Sequence, residues 1–106
     1  MSKLLEILEA NNTYTTKVLT AGQQQLAQII EAEAAYNERV AKAEAELIDN
    51  LNPLSPIAFT LYGLRAGNAY LDLSNRIDEA NIEFRLSYSL ALIPYYSRID
   101  AILADP

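Results

Sequence analysis

Ile82-Glu83-Phe84-Arg85-Leu86-Ser87-Tyr88-Ser89-Leu90 alternates apolar and polar residues in strict period two. Taken alone, that is the signature of a half-buried β-strand. Its surroundings point to a helix. Alanine stands at 58, 69, 80 and 91 and isoleucine at 102, each eleven residues after the last. Tyr62, Leu73, Phe84 and Tyr95 form a second series at that interval, and Ala66, Ile77, Tyr88 and Ile99 a third. Eleven residues are close to three α-helical turns, so each series holds one face of a nearly straight or slightly right-handed helix. A strand over 82–90 leaves the alanine series without a cause, and helix is the reading adopted.

The same interval runs through the first half of the chain. Ile7, Val18, Ile29, Val40 and Leu51 are shadowed one residue later by Leu8, Leu19, Ile30 and Ala41. Alanine, glutamate, glutamine and leucine dominate 21–48, all good helix formers. Glu38/Lys42 and Lys42/Glu46 offer i,i+4 pairs on an exposed face. The weak stretch is Asn11-Asn12-Thr13-Tyr14-Thr15-Thr16, whose residues favour caps, turns or strands. The apolar phase is kept across it, so a continuous helix with a soft spot is expected.

Between the halves lies Asn50-Leu51-Asn52-Pro53-Leu54-Ser55-Pro56. Pro53 disfavours helix at Asn52, and Ser55-Pro56 reads as an N-cap followed by proline at the first helical position. A connection this short returns an antiparallel neighbour. The sequence therefore predicts an all-α fold, a long antiparallel two-helix hairpin with eleven-residue (hendecad) packing seams. Its single domain covers 1–106, with helix at 3–50, a proline loop at 51–55, and helix at 56–104 kinked near Pro94, where a backbone donor is missing.

Such a hairpin has little interior of its own. The second arm carries apolar residues on opposite sides, Tyr62, Leu73, Phe84 and Tyr95 on one and Leu64, Leu71, Ile82, Leu86 and Ile93 roughly 200° round. One partner helix cannot cover both, so oligomerisation is expected to complete the fold. The competing arrangement is a chain broken into three or four shorter helices around an internal core. Ile29, Val40, Tyr62, Leu73, Ile77, Phe84 and Tyr88 are assigned to the intrachain seam, and Leu71, Ile82, Leu86 and Ile93 to an oligomer interface. On sequence grounds these two faces are interchangeable. The seven tyrosines suit either, because the ring buries area while the hydroxyl can stay wet.

Composition excludes much chemistry. The 106 residues contain no cysteine and no histidine, which removes nucleophile–histidine systems, ordinary zinc sites and the Glu-x-x-His di-iron signature. Glu31, Glu33, Glu38 and Glu44 read as a solvated face rather than a carboxylate metal site. No catalytic residue, metal or cofactor is expected, and the chain is read as non-enzymatic. A net charge of −6 argues against a general nucleic-acid binder. No window of ~18 apolar residues is free of charge, so no membrane span is expected. Glu6 stands too early for a signal peptide, and a soluble chain is the expectation, its compartment left open.

Three fainter patterns remain. Gly63-Leu64-Arg65-Ala66-Gly67 is a small-xxx-small segment, read as close packing of a helix against a helix or the loop. Arg65, Arg76 and Arg98 share the eleven-residue phase, as do Glu33/Glu44 and Glu38/Asp49, either as register-setting stripes or as a solvated face. Between Ala10 and Ile30 the one charge is Lys17, which suits a contact zone because uncharged polar groups cost less to desolvate.

Two helices joined through Asn52-Pro53-Leu54-Ser55-Pro56 resemble the Pro-Ser-x-Pro hairpin of type III secretion needle subunits, which stack into helical tubes. The arms here are longer than in that family. Small acidic helical chains of this kind also resemble virion accessory and neck components. Both resemblances, at the level of fold, imply a structural subunit that binds itself and other proteins of an assembly. The alternative is an adaptor or regulatory module that takes a partner helix in an apolar groove.

Overall fold

A computed structural model describes residues 2–50 and 56–106. The proline loop 51–55, with Leu51 and the Ser55 cap, lies outside the described residues. Those residues form two helices and no strand: α1, Lys3–Asp49, and α2, Pro56–Ala104.

Local chemistry accounts for the ends. Ser2 caps α1, its Oγ accepting from the Leu5 N–H at 3.4 Å. At the other end the Asn50 N–H donates to the Leu47 carbonyl at 3.1 Å. The Asn50 side-chain amide donates to the Glu46 carbonyl at 2.7 Å, so two of the last carbonyls are satisfied. The soft stretch 11–16 is helical throughout. There the Thr13 hydroxyl bonds back to the Glu9 carbonyl at 3.1 Å, which takes its hydroxyl out of competition with the helix. Thr60 does the same to Pro56 at 3.0 Å. α2 continues through Pro94.

The alternating stretch 82–90 is helix. Its period of two arises because two helical stripes overlap. Ile82, Leu86 and Leu90 form one, at i, i+4 and i+8; Phe84, Tyr88 and Ala91 form the other, roughly 200° away. A helix apolar on two sides can imitate a strand over nine residues. Only the longer phase distinguishes them.

Contacts group the chain into two compact units: a terminal unit of 1–26 with 81–106, and a central unit of 27–80. In the terminal unit an α1 segment and an α2 segment run antiparallel. The Tyr95 hydroxyl donates to Asn11 Oδ1, and Gln25 Nε2 donates to Asn81 Oδ1 at 2.7 Å, so α1 numbers rise as α2 numbers fall. The deepest residues there are Ala10, Ala21, Ala91 and Ile102. In the central unit Arg65 pairs with Glu46, and Arg39 with Asp72 at 3.6 Å, again antiparallel. Its deepest residues are Ala32, Ala43, Ala69 and Ala80.

The buried positions of α1 are thus 10, 21, 32 and 43, a line of alanines that the sequence reading passed over for Ile7, Val18, Ile29 and Val40. Those four are only half-buried. A buried methyl flanked by larger, half-buried residues is the arrangement that lets two helices approach closely, since side-chain size at the contact sets the interaxial distance. No large side chain among the described residues is fully buried, and no buried side-chain polar atom lacks a partner.

Candidate assembly surface

Two kinds of surface stand out, an aromatic cluster beside the seam and apolar faces turned away from it. The cluster belongs to the terminal unit. Tyr14 stacks tilted on Tyr95 with ring centroids 4.8 Å apart and meets Tyr88 edge-on at 6.3 Å. Phe84 reaches Tyr88 at 6.3 Å, and Tyr95 reaches Tyr96 at 5.5 Å. These spacings are those at which aromatic edges meet faces favourably. The Tyr14 hydroxyl is pushed up to about 12, first by its hydrogen bond with Tyr88, then by burial and by the neighbouring tyrosines. Tyr14 and Tyr95 also line a groove of about 360 Å³ with Thr13, Lys17, Pro94 and Arg98. Gly22 lies against the same ring system: a Cβ there would sit 3.8 Å from Phe84 Cε2, an ordinary contact.

Of the residues assigned to the seam, Ile29, Val40, Tyr62, Leu73 and Ile77 are half-buried in the central unit, and Phe84 is half-buried in the terminal unit. Tyr88 is 38% exposed, though it touches Tyr14 and Phe84. The residues assigned to an interface between copies are all exposed: Leu71 60% in the central unit, and Ile82 60%, Leu86 59% and Ile93 67% in the terminal unit. Within the terminal unit these belong to a longer face of α2, at 82, 86, 90, 93, 97 and 101, exposed throughout and without a charge.

The first helix carries a comparable face that the sequence reading touched only through its uncharged zone. In the terminal unit it comprises Leu4, Leu8, Asn12, Thr15, Leu19, Gln23 and Leu26, all exposed and none charged. In the central unit the same phase continues through 30, 34, 37, 41, 45 and 48, also exposed and uncharged. The signal that finds it is the eleven-residue repeat applied to charge as well as to hydropathy.

The remaining patterns resolve locally. Among the described residues nothing lies within 4 Å of a Cβ built at Gly63 or Gly67, so their smallness serves no contact there. Arg65 bonds Glu46, and Arg76 bonds Asp72 on its own helix at 3.1 Å, with both partners about half exposed. Glu31, Glu33, Glu38 and Glu44 are exposed. Among the described residues no group of three or more carboxylates is placed to hold a metal, and no helix is long and apolar enough to cross a membrane.

No family model, curated protein or solved structure matches this chain.

Proposed function

We propose that this protein is a non-enzymatic structural subunit that self-associates through helix–helix contacts, as a repeated component of a larger assembly such as a virion or a secretion apparatus. The observation that carries this reading is the outer face of α2 in the terminal unit, where Ile82, Leu86 and Ile93 are each about 60% exposed or more at helical spacing; Leu71 in the central unit is exposed to the same degree. Large apolar patches of this kind mark contact surfaces. The eleven-residue repeat serves as the packing seam within each unit, and its second copy on the outer faces gives a neighbouring helix the same phase to follow.

The test is molar mass by light scattering on a sizing column across a concentration range. Wild-type protein is expected well above 11.8 kDa, with a mass that rises with concentration. Leu86→Glu is expected to lower the mass while leaving helix content intact. A sharp monomer at every concentration overturns the reading in favour of an adaptor that takes a partner's helix.

A further inference from the structure

We infer that assembly is head-to-tail: within the terminal unit, the uncharged outer face of α1 receives the outer face of α2 from a second copy. This rests on the self-association reading and specifies its second half.

The two faces share one spacing. The α1 face follows steps of four, four and three from residue 4 to 26. The α2 face, read backwards from 101, descends to 82 by those same steps; the next position, Glu79, is charged and lies outside the terminal unit. The antiparallel register of the unit is already known from Gly22 against Phe84, Asn11 against Tyr95 and Gln25 against Asn81, each pair of numbers adding to 106. A neighbour standing beside the first copy, with the same orientation and height, brings the two faces together with numbers adding to 105. The offset is one residue, about 1.5 Å. Six positions on each face therefore match without axial slip.

Side-chain volume then favours this pairing over the others. In that register Leu8 meets Ser97, Asn12 meets Ile93, Thr15 meets Leu90 and Gln23 meets Ile82, each a large aliphatic against a smaller or polar side chain. Leu19 meets Leu86 at the centre. Alternation of large and small across facing positions is how two surfaces interdigitate at interior density. A two-fold contact of antiparallel α2 helices instead sets Leu86 on Ile93 and Leu90 on its own copy, large against large. A two-fold contact of antiparallel α1 helices sets Thr15 on its own copy, Asn12 on Leu19 and Gln23 on Leu8, and leaves the larger aliphatics of the α2 face uncovered.

Charge and area agree. Neither face carries a charge between 4 and 26 or between 81 and 104 at these positions, so no ion is stripped of water on docking. Leu4, Leu8 and Leu19 on one side, with the four aliphatics of α2 on the other, are 49–67% exposed. Their burial removes on the order of 500 Å² of aliphatic surface. With the residues between them the contact reaches roughly 1,000 Å², the size at which a contact becomes specific. Because the two faces differ, each copy offers one and receives on the other, which closes as a ring or grows as a filament.

The experiment uses full-length Leu19→Glu and Leu86→Glu, alone and mixed in equal amounts, with circular dichroism as the folding control and Leu19→Gln and Leu86→Gln as milder second variants. Each substitution leaves a carboxylate in an apolar contact and is expected to weaken that contact roughly a hundredfold or more. The expected result is that each variant alone runs at 11.8 kDa and the mixture at about twice that, because each supplies the face the other lacks. Assembly lost in Leu86→Glu but kept in Leu19→Glu overturns the inference and leaves self-association standing. A homodimer of each variant alone, through two separate two-fold contacts, also overturns it. A wild-type monomer defeats the underlying reading itself.

Discussion

Ala32 and Ala27 lie five residues apart on α1 within the central unit, yet Ala32 is 2% exposed and Ala27 is open to solvent. Replacing each with glycine separates what the helix loses from what the packing loses. Both substitutions carry the backbone cost of mid-helix glycine, about 1 kcal/mol. Ala32→Gly also removes a buried methyl, worth about 0.8 kcal/mol in transfer alone, and leaves a small void between the helices. The expected losses are about 1 kcal/mol for Ala27→Gly and about 2 kcal/mol for Ala32→Gly. At ~2.1 cal/mol/K of unfolding entropy per residue, the difference corresponds to about 4–5 °C in midpoint. Urea and thermal unfolding followed at 222 nm, at one fixed protein concentration, measure it, since association shifts apparent stability by mass action. Equal losses at the two sites would refute the idea that the alanine line marks the closest approach of the helices.

Three further outcomes follow from the terminal unit. Gly22→Ala is expected to stabilise by up to about 1 kcal/mol, since the helix gains and the new Cβ meets Phe84 Cε2 at an ordinary 3.8 Å; a lower urea midpoint would contradict this. Asn81→Leu alone is expected to cost about 1–3 kcal/mol by orphaning Gln25, whereas Gln25→Leu with Asn81→Leu recovers most of it, a double-mutant cycle that reads the 2.7 Å bond. Because the hydroxyl of Tyr14 is raised in the folded state from 10.0 to about 12, its contribution to stability is intact below pH 10 and is lost as pH rises through 12. Absorbance at 295 nm should show one late-titrating tyrosine whose midpoint falls in Tyr88→Phe; an unchanged titration would assign the shift to something other than the Tyr88 hydrogen bond.

Much of the fold was legible in the chain because its signals are local. Pro53 and Pro56 restrict backbone angles by covalent geometry, and the structure places α1 before them and α2 from Pro56 onward. Helix over 82–90 was recoverable because five positions in one eleven-residue phase, from Ala58 to Ile102, outweigh nine residues of alternation. What the sequence reading missed was the role of alanine on the first helix. Ile7, Val18, Ile29 and Val40 carry more hydropathy than Ala10, Ala21, Ala32 and Ala43, so a search for apolar residues finds the flanks of the seam before its centre. The α1 outer face was missed for the opposite reason: Asn12, Thr15 and Gln23 hide an apolar stripe whose distinguishing mark is absence of charge.

By itself, then, the sequence determined two long helices and the phase of the large apolar stripes on them, since φ restriction, propensity and periodicity act through neighbours along the chain. It left Phe84 and Leu86 as equals, two apolar residues on opposite sides of one helix. Only the packing of α1 against α2 decided between them. Phe84 lies beside Gly22 and Tyr88, while Leu86 stays 59% exposed, because burial is a property of the distance between helix axes and not of any residue's own hydropathy.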